Sequence, residues 1–365
     1  MDNNSSDAPK PEPPLDPAPV PRPVPPEQVI VIPSPAENIW LDEPRPVVYR
    51  RPRTRLALIL FVLTCLSTFF AGIVGFPVPG NLVAGLVRGL EYAGCVMAIL
   101  SAHELGHYLQ ARRTGVPASL PFFIPFPISP FGTMGAVIVQ QSGVADRKSM
   151  FDIAITGPLA GLVLALPLAY YGICSAKVES FAAIPGHVVV YADPLLLQWM
   201  IRSVHGPLPP GADVTVNPML FAGWVGVFIT ALNLLPIGQL DGGHVLYCLI
   251  GRRAHYVARG LFFAAAAAVA YNMLFGDRRS YVWIAMLVLI WLIGTRHPPT
   301  ANDRVPLGWF RIMLGWLTLM FIFVGLTPIP IYDQPTGNTP RPPPIQRHPD
   351  QEIQVRVNVP VEGHA

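Results

Sequence analysis

Long apolar segments separated by short polar stretches dominate the middle of the sequence. The apolar runs are residues 56–76, 82–100, 151–174, 219–235, 261–275, 281–293 and 310–326. An α-helix needs about 20 apolar residues to cross the hydrocarbon core of a bilayer, and several of these runs approach or reach that length. The pattern therefore predicts an all-α polytopic membrane protein with about seven transmembrane helices.

The segment 117–148 interrupts this pattern with closely spaced prolines and glycines. Prolines at this density exclude a spanning helix, and the short β-prone runs between the glycines predict β-hairpins. Such hairpins can be embedded in a membrane only where protein or a water-filled cavity satisfies their backbone. Their exposed edges would suit an extended peptide, which makes Gly132 and Gly135 candidate substrate-binding residues. A simple packing loop explains the segment equally well.

Both ends of the chain are rich in proline, with polar and charged residues between the prolines. Segments of this composition cannot bury enough apolar surface to fold. We therefore expect a disordered cytoplasmic arm at 1–54, a membrane domain at 55–327 with its core at 56–251, and a disordered tail at 328–365.

Arginines immediately before the first apolar run predict how the chain is oriented in the membrane. They are Arg50, Arg51, Arg53 and Arg55. Because positively charged residues are retained on the cytoplasmic side, the N-terminus is predicted to be cytoplasmic. We expect an integral, multi-pass protein of the cell (inner) membrane.

The composition agrees with a membrane protein and excludes other classes. Hydrophobic residues make up 52% of the chain and charged residues 13%, whereas soluble domains have about 25% charged residues. The formal net charge is only +3, and no basic block interleaved with aromatic residues indicates nucleic-acid binding. All 4 cysteines lie in or beside apolar runs, so neither a disulfide framework nor a cysteine metal cluster is expected.

The second apolar run continues into a cluster of ionisable residues, His-Glu-Leu-Gly-His. His103 and His107 are four positions apart, so on a helix both imidazoles project from one face. Two neutral imidazoles are good zinc ligands, and Glu104 would then serve as the general base of a hydrolytic reaction. A solvated helix without metal is the alternative, but these groups would be costly to bury in hydrocarbon unless they bind something. Because the proline-rich segment follows directly, we expect its membrane-embedded β-hairpins near the active site.

Small residues in the third apolar run predict close helix packing. The sequence Thr-Gly-Pro-Leu-Ala-Gly occupies residues 156–161. Glycine and alanine allow two helix backbones to approach each other, so this run is expected to pack against the helix that carries the histidines.

A second polar cluster ends the fourth apolar run. A catalytic zinc usually has three protein ligands, and Asp241 is the natural third one. Pro236 and Gly238 would break the helix and allow the carboxylate to point inward. Asn233 would donate a hydrogen bond to a substrate carbonyl or an oxyanion. The plainer alternatives are a helix N-cap for Asp241 and an interhelical hydrogen bond for Asn233.

Three motifs together resemble the site-2 protease family of intramembrane zinc metalloproteases. They are His-Glu-Leu-Gly-His at 103–107, Phe-Gly-Thr-Met-Gly at 131–135, and Asn-Leu-Leu-Pro-Ile-Gly-Gln-Leu-Asp-Gly-Gly-His at 233–244. The resemblance covers about residues 56–251. It implies that one Zn²⁺ per chain is bound by His103, His107 and Asp241, that Glu104 is the catalytic base, and that Asn233 holds substrate or stabilises the oxyanion.

The same resemblance implies the reaction and the partners. The protein would hydrolyse peptide bonds within transmembrane segments of other membrane proteins in the bilayer, as regulated intramembrane proteolysis after a first cut by an upstream site-1-type protease. A membrane zinc-binding transporter or scaffold without proteolysis is the alternative, although a closed structural site has no need of Glu104. We assign no role to the histidines in loops and tails, which are His187, His205, His255, His297, His348 and His364.

Overall fold

The apolar runs form α-helices in the computed structural model, which describes residues 53–141, 143–180, 186–209, 212–275, 282–295, 297–328, 330–336 and 354–357. These residues belong to one unit, Pro52–Ala365. Nearly all of the N-terminal arm and most of the C-terminal tail lie outside the described residues, so their disorder stays a prediction.

Nine α-helices occur within the described residues. They are α1 Thr54–Gly75, α2 Leu82–Arg113, α3 Arg147–Ser175, α4 Leu195–His205, α5 Pro218–Asn233, α6 Asp241–Ile250, α7 Ala254–Phe275, α8 Val282–Ile293 and α9 Trp309–Gly325. A single 3₁₀ turn, Gly251–Arg253, joins α6 to α7.

Within the described residues, four helical stretches are long and apolar enough to cross a membrane. They are Thr54–Gly75, Leu82–Arg113, Arg147–Ser175 and Asp241–Phe275. The prediction of about seven spans is not confirmed, because α5 has 16 residues, α8 has 12 and α9 has 17. Each is shorter than the roughly 20 residues that a helix needs to cross the bilayer core.

The strands are short and form three separate sheets. The first pairs β1 Phe122–Pro125 with β2 Thr133–Val137, and the second pairs β3 Val178–Ser180 with β5 Ala212–Val214; the third has the order β6 Ile331–Thr336, β4 Gly186–Ala192, β7 Gln354–Val357. All the pairings are antiparallel. Strands β6 and β7 belong to the tail at 328–365, where pairing with β4 supplies backbone partners that composition alone does not reveal.

The predicted hairpin within 117–148 is the β1–β2 pair, and it is fastened to the helices. Ser67 of α1 donates a hydrogen bond through Oγ to the carbonyl oxygen of Gly132 at 2.6 Å. Tyr92 of α2 donates through its hydroxyl to the carbonyl oxygen of Phe131 at 3.1 Å. The Phe131 ring lies 6.0 Å from the ring of Trp224 and 6.1 Å from that of Phe228, both on α5. The connection between β1 and β2 is therefore packed against α1, α2 and α5.

Helices α2, α3 and α5 pack together and position the polar motifs. A Cβ added at Gly106 would lie 2.6 Å from the carbonyl oxygen of Thr156, so α2 and α3 are in backbone contact. Thr156 in turn donates through Oγ1 to the carbonyl oxygen of Gly106 at 3.2 Å. On the other side of α3, a Cβ at Gly223 of α5 would meet Ala169 at 2.6 Å. The close packing predicted from the small residues is confirmed.

Candidate metal centre

Three side chains from two distant parts of the sequence converge between α2 and α6. Nε2 of His103 lies 3.1 Å from Oδ2 of Asp241, and Nε2 of His107 lies 3.3 Å from the same oxygen. The two Nε2 atoms are 3.2 Å apart. Ligands about 2.0–2.1 Å from a tetrahedral zinc ion lie about 3.3 Å from one another, so the three atoms have the spacing of a zinc donor set. Among the described residues, this is the group of three that could hold a metal ion.

Helix α3 provides space and a hydrogen-bond acceptor for the two histidines. Nδ1 of His107 donates to the carbonyl oxygen of Ile153 at 2.7 Å, which leaves the lone pair of Nε2 free for a metal. A Cβ added at Gly157 would overlap the His107 ring. A Cβ added at Gly161 would lie 3.2 Å from Nδ1 of His103. The small residues of α3 are therefore required by the imidazoles as well as by the helix packing.

A break between two helices positions the carboxylate of Asp241. Helix α5 ends at Asn233 and α6 begins at Asp241. Within the turn between them Gly238 has a φ of +57°, a conformation that favours glycine. Leu240 is the N-cap residue of α6, so the alternative of an N-cap role for Asp241 is not realised. The Asp241 carboxylate instead contacts the two histidines.

Glu104 lies beside the ligand set and does not belong to it. The residue is 4% exposed and follows His103 on α2. The group of potential ligand atoms comprises His103, His107 and Asp241. A buried carboxylate next to a metal site, with its oxygens outside the ligand set, can exchange protons with a water molecule at that site.

Asn233 also reaches the cluster. Its Nδ2 atom lies 3.4 Å from Nε2 of His103, at the outer limit of a hydrogen bond. The amide therefore borders the place where the three ligand atoms meet. The predicted interhelical hydrogen bond and a role toward substrate are both compatible with this position.

The two hairpin glycines are not brought to the cluster by any contact in the described part of the chain. A Cβ added at Gly132 would meet Ser67 and Thr68 of α1, so close packing explains this glycine together with its positive φ of +74°. Around Gly135, no heavy atom lies within 4 Å of the position of a Cβ. Gly135 itself is buried, so the free space beside it is limited.

Sequence reasoning missed two groups at the site. Ile153 acts through its backbone carbonyl, which leaves no trace in the identity of the side chain. His297 was given no role, yet it is buried and forms a close hydrogen bond to His244 of α6. Burial, followed by the neighbouring His244, lowers the pKa of His297 to about 3, so this imidazole is neutral at physiological pH. An isolated histidine followed by two prolines carries no periodic signal that would have revealed it.

The chain is similar to a known peptidase family and to several proteins that are named zinc metalloproteases. A family model described as peptidase family M50 matches residues 91–275. The chain is 32% identical over 306 residues to "Probable zinc metalloprotease EGY1, chloroplastic" of Oryza sativa subsp. japonica, covering 76% of this chain and 51% of that protein. It is 32% identical over 250 residues to the Arabidopsis thaliana protein of the same name, covering 67% of this chain and 43% of the relative.

A third relative is also named a zinc metalloprotease. The chain is 29% identical over 250 residues to "Probable zinc metalloprotease EGY2, chloroplastic" of Arabidopsis thaliana, covering 66% of this chain and 44% of the relative. The chain thus spans about half the length of the curated relatives it matches, or less. No solved structure gives a significant match.

Proposed function

Because the chain belongs to peptidase family M50, we propose that it is an intramembrane zinc metalloprotease that hydrolyses peptide bonds within transmembrane segments of membrane proteins. The observation that carries the proposal is the meeting of His103, His107 and Asp241 on helical stretches apolar enough to cross a membrane. Buried ionisable groups on such helices are costly and mark functional sites. One Zn²⁺ per chain would be held by these three residues.

The proposed mechanism assigns a task to each group at the site. A bound zinc ion would supply Lewis acidity, since it lowers the pKa of a coordinated water toward about 7 and polarises a carbonyl. Glu104 accepts the proton of the attacking water and passes it to the leaving amine. The carbonyl of Ile153 keeps His107 in the tautomer that presents Nε2. Asn233 donates through its amide to the substrate carbonyl oxygen as negative charge develops there.

Substrate binding is proposed to use the hairpin edge. A helix hides its peptide bonds, so a transmembrane substrate must unwind locally and could then pair with an exposed strand. The β1–β2 sheet has only two strands, so each strand has an edge that no third strand of the sheet covers. Of the two candidate glycines, Gly135 is favoured over Gly132, because a Cβ at Gly135 would meet no heavy atom within 4 Å, whereas the surroundings of Gly132 are occupied by α1.

The setting of the reaction is also proposed. The arginines before α1 support a cytoplasmic N-terminus in the cell (inner) membrane. Resemblance to site-2 proteases supports substrates that an upstream site-1-type protease has already cut, and hence a role in regulated intramembrane proteolysis. The curated relatives are named chloroplastic proteins, which concerns those proteins.

Cleavage of a panel of single-span membrane proteins by the purified protein in detergent tests the proposal. The wild type is compared with Glu104→Gln, with chelator-treated protein, and with Glu91→Gln as a matched control on the same helix. We expect the wild type and Glu91→Gln to cleave, and Glu104→Gln to retain zinc while losing about 10²-fold or more in rate. Substantial cleavage by Glu104→Gln would show that Glu104 is not the general base. Zinc flux into liposomes without proteolysis would favour the transporter alternative.

A further inference from the structure

The connection between α8 and α9 is described at residues 294–295 and 297–308. It lies beyond the matched region 91–275 and yet packs on the elements that hold Asp241. The carbonyl oxygen of Gly294 lies against Gly238, so closely that a Cβ at Gly238 would overlap it. Ala301 donates through its backbone N–H to the carbonyl oxygen of Ala145 at 2.8 Å. The connection is therefore held both to the turn before Asp241 and to the start of α3.

His297, in this connection, contacts two side chains of α6. It forms a close hydrogen bond between its Nε2 and Nδ1 of His244, with the two rings nearly perpendicular at 86°. The ring of Tyr247 stacks on His297 at a centroid distance of 4.2 Å and an angle of 14°. Tyr247 donates through its hydroxyl to Oδ2 of Asp303 at 2.8 Å. The connection therefore contacts α6 at His244 and at Tyr247. His244 lies three residues after Asp241.

We propose that His297 is a positioning residue for the metal centre, acting through His244 to hold α6 and its first residue, Asp241, against His103 and His107. The inference rests on the proposed zinc site. Partners outside the ligand set orient the ligands, and their loss typically lowers metal affinity by about 10–100-fold. The hydrogen bond between the histidines requires one imidazole to donate and the other to accept, so it also fixes the orientation of His244.

His255 offers a matched control within the same cluster. Its ring also stacks on Tyr247, at a centroid distance of 5.7 Å and an angle of 26°. Its Nε2 atom is buried and has no hydrogen-bond partner among the described residues. Replacing His255 therefore removes a partly buried ring that stacks on Tyr247, and it leaves the bond between His297 and His244 in place. A purely structural role for His297 would make the two replacements equivalent.

The test measures the zinc dissociation constant of the purified full chain by competition with a chelator, alongside thermal unfolding of the metal-free protein. We expect His297→Ala to weaken zinc binding about tenfold, the lower end of the range for outer partners, because His297 acts through one intermediate residue. His297→Gln, which keeps a polar group at the position of Nε2, should recover most of that loss. His255→Ala should change the dissociation constant by less than about twofold, by the same reasoning.

Equal changes in zinc affinity for His297→Ala and His255→Ala would overturn the inference, as would an unchanged affinity in His297→Ala. If His297→Ala does not fold, His297→Phe takes its place, because it keeps the stack on Tyr247 and removes only the hydrogen bond. A wild-type protein that binds zinc but cleaves no substrate would refute the proposed function and leave the affinity comparison decisive. A wild-type protein that binds no zinc would refute both.

Discussion

The carbonyl oxygen of Ile153 lies 2.7 Å from Nδ1 of His107, so a residue of α3 orients a metal ligand that α2 supplies. The N–H donates to the carbonyl, which fixes the tautomer and aims Nε2 at His103 and Asp241. Consequently the ligand geometry depends on how closely α3 approaches α2.

Gly157→Ala should weaken zinc binding by about tenfold or more, because the added methyl group would overlap the His107 ring and push it from its acceptor. Chelator competition on the purified protein measures the change. Gly94→Ala is the control, because a Cβ at that helical position of α2 meets no atom within 4 Å. Alanine favours a helix over glycine by about 1 kcal/mol at either site. Unchanged zinc affinity in Gly157→Ala would show that α3 does not constrain His107.

Breaking the ion pair between α9 and α3 should destabilise the fold. Arg311 donates through Nε and one terminal nitrogen to both carboxylate oxygens of Asp152, at 2.7 and 2.9 Å. The side chains are 30% and 22% exposed, so we expect a coupling free energy of unfolding of only about 1 kcal/mol. A double-mutant cycle of Arg311→Ala and Asp152→Asn in denaturant measures it. Arg304→Ala, at an exposed position, is the control, and strictly additive effects would argue against the pair.

Asp193→Asn should stabilise the protein at neutral pH. Both carboxylate oxygens of Asp193 are buried without a hydrogen-bond partner in the described residues, and burial, followed by the charge of Asp213, raises its pKa well above 3.8. The folded state then binds the proton more tightly than the unfolded state. The associated stability is fully present below the unfolded pKa of about 3.9 and is lost as the pH rises through the folded pKa.

Thermal midpoints of metal-free wild type and Asp193→Asn, measured between about pH 4 and pH 8, test this linkage. We expect the advantage of the variant to grow as the pH rises. Glu179→Gln, at an exposed position of β3, is the control. A difference between wild type and Asp193→Asn that does not vary with pH would contradict the prediction.

Gly132→Ala and Gly135→Ala should have different consequences, although both glycines have positive φ, of +74° and +98°. At Gly132 the methyl group would also lie 2.6 Å from Cα of Thr68, so the hairpin must move away from α1. We expect a loss of about 3 kcal/mol or more in stability there, against about 1 kcal/mol from backbone strain at Gly135.

Thermal unfolding of the two variants and cleavage of one substrate distinguish packing from substrate binding. If Gly135 lies against the substrate, Gly135→Ala should lower kcat/KM while most of the protein remains folded. A loss of activity that merely parallels the loss of folded protein would remove Gly135 from the substrate site. Equal stability of the two variants would contradict the contact between the hairpin and α1.

The sequence predicts that the apolar runs are helices, but it does not predict how many of these helices cross a membrane. Apolar periodicity and length identify a helix, and the expected runs are helical in the described residues. The predicted number of membrane spans is not confirmed, because the helix Pro218–Asn233 is short and the stretch Asp241–Phe275 passes through a 3₁₀ turn. Strand pairing of the tail with β4 was not predictable either, since it depends on a partner more than 130 residues away.

The sequence by itself determined the local chemistry: an i, i+4 pair of histidines with Glu104 between them, and Asp241 after a helix-breaking turn. These follow from helix periodicity and from the backbone limits of proline and glycine, which act over a few residues. Only the tertiary structure decided that Ile153 orients His107, that Gly132 packs on α1, and that His297 meets His244. Such contacts arise from the summed packing of distant elements, and a backbone carbonyl or a single loop histidine leaves no pattern along the chain.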